Sequence, residues 1–522
     1  MKRTFIIFWM VCLLSISALS LQAQAGLCGT TGDLQEAFIP DLRTNIRTAE
    51  SNPVRFRSTQ YLPIKFHIVT ETDGTNGVKV ARILDQLAAL NEDFADLDIQ
   101  FYLKDCSFNY INNSTVYENH EVTTGTIMRA NRDDDAINVF IPETANRSNS
   151  TTEGRILGYY LKIAITGTGA FESDWLVVRK SEITSASITL THELGHFFTL
   201  AHPHRGWESE PYDPEIHGNP APRNSPAGIP TEMQDRNKNC DSAGDLLCDT
   251  PPDYNFGFNW TDCDYDGGAM DPDGDLVEPE EKLYMSYFSY CDVDDYFFSP
   301  MQKAAIIASA NSAERAYIRS GWTPTEVEIT TNTTLEAPFD DEELGYYNDV
   351  PFSWTAVPGA TKYLLEISRF PDYRESTSTF IFEVNGNSKV VSGLDANKLY
   401  FWRVRPYNCY DTNTPFTSSN SFRTGDVTKT EEPGFIEGWT VSPNPVHSNA
   451  SLQLSINSRE AFEGQVVWYG LDGRRIRSEA GQQFISGSNR LSVSTGDLSA
   501  GIYLLALETT EGRLTKRIAI LP

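Results

Sequence analysis

The stretch Thr191–His204, THELGHFFTLAHPH, holds four of the chain's eight histidines, and its spacing restricts the local fold more than any other feature. His192 and His196 are four apart, so on a helix they project from one face and can share one metal ion. Glu193 then stands close enough to act on a water without ligating. His202 follows His192 by ten residues. An unbroken helix would carry it about 9 Å past His196 and rotate it away from the metal. The helix must therefore end near Thr199 if His202 is to join as a third ligand. Three neutral imidazoles leave a fourth tetrahedral position open, as in a catalytic zinc site and not a closed structural one. His204 follows just beyond Pro203 and is assigned to the surroundings of the site or to the surface.

At 522 residues the chain exceeds a single core, so two to four domains are expected, one large enough for a cleft. Residues 1–25 combine Lys2 and Arg3, an apolar run from Phe5 to Leu14, and Ala23-Gln24-Ala25. They read as a signal peptide, which implies export. No later run reaches the length of a membrane helix, so no transmembrane segment is expected in the mature chain. A formal charge of −29 excludes nucleic acid as a partner. Acids concentrate between Asp262 and Asp295, twelve against the single Lys282, in a solvated surface or an oxygen-rich loop suited to a hard cation. Seven cysteines remain once Cys12 leaves with the signal: 28, 106, 240, 248, 263, 291 and 409. In an oxidising compartment they favour disulfides, and the odd count leaves one thiol over.

Residues 26–60 are polar, carry Arg43, Arg47, Arg55 and Arg57, and lack clear periodicity, as a linker or pro-segment would. From Tyr61 the pattern changes. Ile64, Phe66 and Ile68 alternate as in a strand, and Val80, Ile83, Leu84, Leu87 and Phe94 follow helical spacing. Further strands are expected at Ile99–Leu103, Ile137–Ile141 and Trp175–Val178, so residues 61–322 form a mixed α/β (α+β) unit. His67, in its apolar run, reads as packed, and His217 receives no role. After Trp322 helical periodicity disappears.

These residues reach a family. HExxHxxxxxH resembles the metzincin zinc peptidases, whose usual form has glycine where Thr199 stands. Within them the pappalysin family fits best, through LPIKFHIV (62–69), LNEDFADLDIQFYL (90–103), GDLLCDTPPD (244–253) and LYMSYFSYCDVDDYFFSPMQ (283–302) in that order. The resemblance implies a metzincin-like catalytic domain with His192, His196 and His202 on Zn2+, Glu193 as general base, Met285 in the Met-turn beneath the metal, and Tyr287 as oxyanion donor. The family often has Asn where Leu283 stands, which puts local support of the turn in question. Cys28-Gly29-Thr30 matches the element in which a thiolate fills zinc's open position and keeps the enzyme latent. A disulfide from Cys28 to Cys106 is the competing reading. The resemblance also suggests crossing bridges, Cys240 with Cys263 and Cys248 with Cys291, and a structural Ca2+ at Asp245 and Asp249.

Two all-β sandwich domains are expected to follow. Residues 325–425, with PFSWTAVPGATKYLLEIS and LYFWRVRPYN, resemble a fibronectin type III domain in which Tyr400 forms a corner before a late strand. Residues 435–522, through VSPNPV, DGR and AGIYLLAL…TKRI, resemble the C-terminal sorting domain of the type IX secretion system. That resemblance makes the outer-membrane secretion machinery a partner. The whole implies a zinc endopeptidase acting on proteins or peptides, secreted or attached to the cell surface after export through the periplasm. The alternative is an inactive zinc-binding relative serving as an adhesion or scaffold protein. For Thr199 the expectation is that the turn survives, with strain or with altered dihedrals.

Overall fold

The computed structural model describes residues 27–51, 56, 58–119, 124–145, 156–164, 171–258, 260–374, 376–426, 434–470, 475–479, 481–496, 498–509 and 512–522. The expected signal peptide, Arg55, Arg57 and the Asp472-Gly473-Arg474 element of the tail lie outside them. The chain divides into two compact units, one of residues 1–329 with 407–414, the other of residues 330–406 with 415–522.

The first unit is built on a seven-stranded sheet among the described residues, in the order β1 (Leu27–Cys28), β6 (Ile156–Ala164), β7 (Phe171–Val178), β5 (Ile137–Ile141), β2 (Gln60–Thr70) and β3 (Ile99–Leu103), with β4 (Asn109–Asn112) also on β2. Strands β2, β3, β4, β5 and β7 pair in parallel, while β6 runs antiparallel to β7. A parallel sheet must be covered on both faces, which explains why all five residues of β5 are buried. Leu62, Ile64, Phe66 and Ile68 alternate into the core from β2. The expected helix is α3 (Val80–Asp93), laid across the sheet with Ile83, Leu84, Leu87 and Leu90 buried. His67 is packed as expected, stacked on Phe140 at 4.1 Å and bonded to Asn138, with burial lowering its pKa to about 4.

Residues 26–60 depart from the expectation of aperiodic chain. They contain α1 (Asp33–Glu36) and α2 (Ile39–Ser51), the latter packed on α8 (Pro300–Asn311). The helix is hidden in the sequence because its buried stripe is short: Phe38 before it, then Ile39, Leu42 and the polar Asn45. No compact-unit boundary falls at residue 60, since the N-terminal segment belongs to the first unit.

Among the described residues of the first unit there are three disulfides, Cys106–Cys409, Cys240–Cys248 and Cys263–Cys291, with Cys28 free and buried. The crossing pattern Cys240–Cys263 with Cys248–Cys291 is therefore corrected. The Cα atoms of Cys240 and Cys248 come within 5.0 Å because residues 235–250 coil into successive tight turns, a geometry the eight-residue spacing leaves undetermined. The alternative bridge from Cys28 to Cys106 is likewise absent.

In the second unit a three-stranded sheet (Ser388–Val391, Val350–Trp354, Leu335–Ala337) and a five-stranded sheet containing Lys362–Ser368 and Leu399–Tyr407 enclose Trp354, Tyr363, Trp402 and Phe422. The Tyr400 hydroxyl accepts from the Asp395 backbone N–H at 2.9 Å, closing a tyrosine corner. The C-terminal residues form a three-stranded sheet and a six-stranded sheet around Trp468, Leu454, Leu505 and Ile518. Alternate burial along Ser451–Ser458 is what a strand with one solvated face requires.

Candidate metal centre

Helix α6 (Thr189–Phe197) is buried all round, so its side chains are fixed by packing on every face. Gly195 is required by that packing, because a Cβ there would lie 2.3 Å from Met285 Sδ. Met285 is thus the floor of the helix at the turn carrying His192 and His196. The helix stops where the histidine spacing demands. Thr199 has φ of +74°, its N–H donates to His196 O at 2.8 Å, and Leu200 N–H donates to Gly195 O at 2.9 Å. A β-branched residue in the left-handed region is an outlier, so the turn forms with the expected strain. Asn45 of α2 donates to Thr199 Oγ1 at 2.9 Å and holds the strained residue from outside.

The turn brings His202 back onto the helix. Its Nε2 lies 3.2 Å from His192 Nε2 and 3.1 Å from His196 Nε2. The other ring nitrogens are spoken for: His192 Nδ1 donates to Tyr284 O at 2.6 Å and His196 Nδ1 to Leu200 O at 2.7 Å. Those protons leave both Nε2 atoms as lone pairs aimed at one point, as metal-ligating histidines are held. Burial keeps all three rings neutral, with mutual repulsion adding at His196 and His202, and lowers His192 to about 4. Cys28 Sγ lies 3.4 Å from His196 Nε2, and the donor atoms of Cys28, His192, His196 and His202 all fall within 4.8 Å of one another. Nitrogens around a tetrahedral zinc at about 2.05 Å stand about 3.3 Å apart. The observed separations fit that ion.

Glu193 is fully buried beside Gly158 of β6, and burial raises its carboxyl to about 8. The Tyr287 hydroxyl donates to the backbone carbonyl of Cys28 at 3.3 Å, and burial keeps the phenol protonated. His204 is fully buried, stacked on His202 at 4.6 Å, 4.3 Å from the Tyr287 ring and 3.6 Å from Asp253. Of the two expectations for it, the surroundings of the site are where it lies; it fixes the plane of His202.

Several contacts around the site carry little or no sequence signal. Thr30 Oγ1 accepts from Tyr160 N at 2.7 Å and reaches Glu193 Oε2 at 3.3 Å. Gln35 accepts from His202 N at 2.9 Å and donates to Glu208 at 2.6 Å, while Glu36 forms a two-pronged pair with Arg205. Arg315, fully buried, joins Asp174, Tyr160 and Phe197 O, tying the end of α6 to β6 and β7. Only the CGT element hinted at the first group, and nothing marked Arg315.

Asp245 and Asp249 are engaged locally. Asp249 accepts from Ser299 Oγ and Met301 N at the start of α8, and Asp245 accepts from Leu247 N and Thr250 Oγ1, its carboxyl pushed up to about 7 by burial.

Residues 440–521 match the family described as a secretion system C-terminal sorting domain. An extracellular metalloprotease of Colletotrichum graminicola is 24% identical over a stretch covering 37% of this chain and 71% of that protein. Among solved structures, the fibronectin(III)-like modules of Clostridium thermocellum CbhA are 11% identical, with a TM-score of 0.15 over 36% of this chain and 93% of theirs. The chicken CNTN1 FN1-FN3 domains are 11% identical, with a TM-score of 0.16 over 38% and 65%. Scores this low carry no fold assignment. No helix among the described residues is long and apolar enough to cross a membrane. The chain carries a secretion sorting domain and is a secreted or cell-surface protein.

Proposed function

We propose that this protein is a zinc endopeptidase of the pappalysin type, made as a latent precursor. The observation that carries the reading is the convergence of His192, His196 and His202 Nε2 beside the buried carboxyl of Glu193. The distant likeness to an extracellular metalloprotease supports the reaction class. The three histidines would hold the ion, and when bound it supplies a Lewis acid that polarises the peptide carbonyl and acidifies water. Glu193, in its ionised form, takes a proton from the attacking water and returns it to the leaving amine. Tyr287 would donate a hydrogen bond from its hydroxyl to the carbonyl oxygen as negative charge develops there, as it already does toward the Cys28 carbonyl.

Latency is carried by the N-terminal segment. β1 pairs in parallel with β6, so Leu27 and Cys28 lie on the sheet edge a substrate strand would take. Cys28 points its sulfur at the histidines and Thr30 engages Glu193. A Ca2+ in the following loop belongs to the same proposal. The residues proposed for it are Asp245 and Asp249, and the support is that Asp245 is fully buried with its Oδ2 lacking a hydrogen-bond partner among the described residues. The test of the catalytic reading is Glu193→Ala. The variant is expected to retain one zinc per chain and to lose about 10²–10⁴-fold in peptide hydrolysis. Undiminished, chelator-insensitive hydrolysis would overturn it.

A further inference from the structure

Arg205 stands three residues after the third histidine, and its backbone N–H donates to His202 O at 3.0 Å, a turn that keeps the two Cα atoms within about 7 Å. Its guanidinium meets Glu36 of the N-terminal segment edge to edge: Nε donates to Oε1 at 2.6 Å and Nη2 to Oε2 at 2.8 Å. Beside that pair, Gln35 accepts from the His202 backbone N–H at 2.9 Å. We infer that Arg205 is a substrate-binding residue, and that once the segment has left, the place of Glu36 is taken by an acidic side chain of the polypeptide being cut. The inference rests on the endopeptidase reading with its latent segment, and names a substrate class that reading leaves open.

The guanidinium is anchored by the body of the enzyme as well as by the segment. Nη1 donates to Gly244 O at 3.3 Å, which leaves Nε and Nη2 as the edge presented to a carboxylate. The Arg205 side chain is 7% exposed and that of Glu36 42%, so the carboxylate lies on the outer side of the pair. Departure of the segment uncovers that edge. The neighbouring carboxylate, Glu208, is turned to other donors: Oε2 accepts from Gly206 N at 2.7 Å, and Oε1 accepts from Gln35 Nε2 at 2.6 Å and lies 3.7 Å from His202 Nδ1. Among the described residues, Glu36 is the carboxylate at salt-bridge distance from Arg205. Two parallel donors on a held guanidinium match one carboxylate in spacing and charge.

Reach limits the position. Cys28 Sγ lies 3.4 Å from His196 Nε2, so the segment crosses the centre before Gln35 and Glu36 meet the loop after His202. A substrate carbonyl placed at the centre, in a chain extended at about 3.3 Å per residue, brings a side chain to the Arg205 turn about two to four residues from the cut bond. A basic side chain there would face like charge, and a neutral one would leave the guanidinium unpaired. The net charge of −29 repels acidic polypeptides in general. An acidic preference confined to one position is therefore the mark of Arg205 and not of the overall field.

The experiment maps cleavage sites by mass spectrometry in a peptide library cut by the zinc-loaded full chain after limited proteolysis has removed the N-terminal segment. Expected is an enrichment of Glu and Asp at one position within about four residues of the cut bond, about tenfold or more over Lys and Arg. Arg205→Gln should erase that enrichment while the enzyme still cuts, and Arg205→Glu should reverse it toward Lys and Arg. No acidic enrichment with the unsubstituted enzyme, or the same enrichment with Arg205→Gln, would overturn the inference and leave the peptidase intact. Absence of cleavage by the zinc-bound, segment-free enzyme would overturn the parent reading and the inference with it. A measurement on the unsubstituted enzyme does not depend on either variant folding. Two peptides differing only by Glu or Gln at the enriched position should differ about tenfold in kcat/KM at about 0.05 M salt, through KM, and the ratio should fall several-fold at about 0.5 M. A ratio that salt leaves unchanged would exclude an ion pair with Arg205.

Discussion

Replacing Thr199 by glycine tests whether the bend that delivers His202 stores strain. A threonine held at φ of +74° is destabilised by about 2 kcal/mol. Glycine removes that cost but gives back about 0.7 kcal/mol through a freer unfolded chain. It also deletes the hydroxyl that accepts from Asn45 Nδ2, costing about 1 kcal/mol more because Asn45 is buried. The sum is near zero, about 0.3 kcal/mol stabilising, so Thr199→Gly alone should look silent. In an Asn45→Ala background the hydrogen-bond loss has already occurred, and the same substitution should stabilise by about 1.3 kcal/mol. The coupling of about 1 kcal/mol is read from urea unfolding of the four chains in a double-mutant cycle. If Thr199→Gly destabilises the Asn45→Ala protein by 1 kcal/mol or more, residue 199 is not strained and the argument fails. Equal effects in both backgrounds would instead remove the link to α2.

Gly195→Ala should lower stability by about 1–3 kcal/mol despite alanine's better helix propensity, because its Cβ would meet Met285 Sδ at 2.3 Å; a higher unfolding midpoint would refute the close packing. Cys28→Ala in the full chain should raise peptidase activity above the parent yet leave it below that of chain freed of its N-terminal segment, since Thr30 still engages Glu193. Activity equal to the freed enzyme would assign latency to the thiol alone. Peptide mapping without reduction should recover Cys106–Cys409, Cys240–Cys248 and Cys263–Cys291 with Cys28 alkylatable after unfolding; a Cys240–Cys263 peptide would contradict the fold.

What could be read in advance divides along physical lines. Strands Ile99–Leu103 and Ile137–Ile141 and helix Val80–Asp93 follow from apolar periodicity, which reports burial directly. The histidine spacing fixes where α6 must end, because a third ligand is geometrically impossible otherwise. The polar contacts to the centre were not legible. Thr30, Gln35 and Asn45 act on partners 154 to 167 residues away, and a polar side chain with a distant partner looks in sequence like any solvated one. Arg315 shows the same limit from the other side. It is a buried cation whose partners come from β6, β7 and the end of α6, and only the fold brings them together.

The Cys106–Cys409 bridge joins residues 303 apart in sequence, so everything between them belongs to one covalent ring. That ring contains the histidine helix, the 263–291 loop and the strands from Leu335 to Tyr407. A protease that nicks the connection near residue 325 therefore makes two chains that still migrate as one until a reductant is added. The C-terminal segment from residue 435 lies outside the ring, so a cut before it severs the sorting domain outright. Processing of the tail and nicking of the body would thus be told apart on a single pair of gels, run with and without reducing agent.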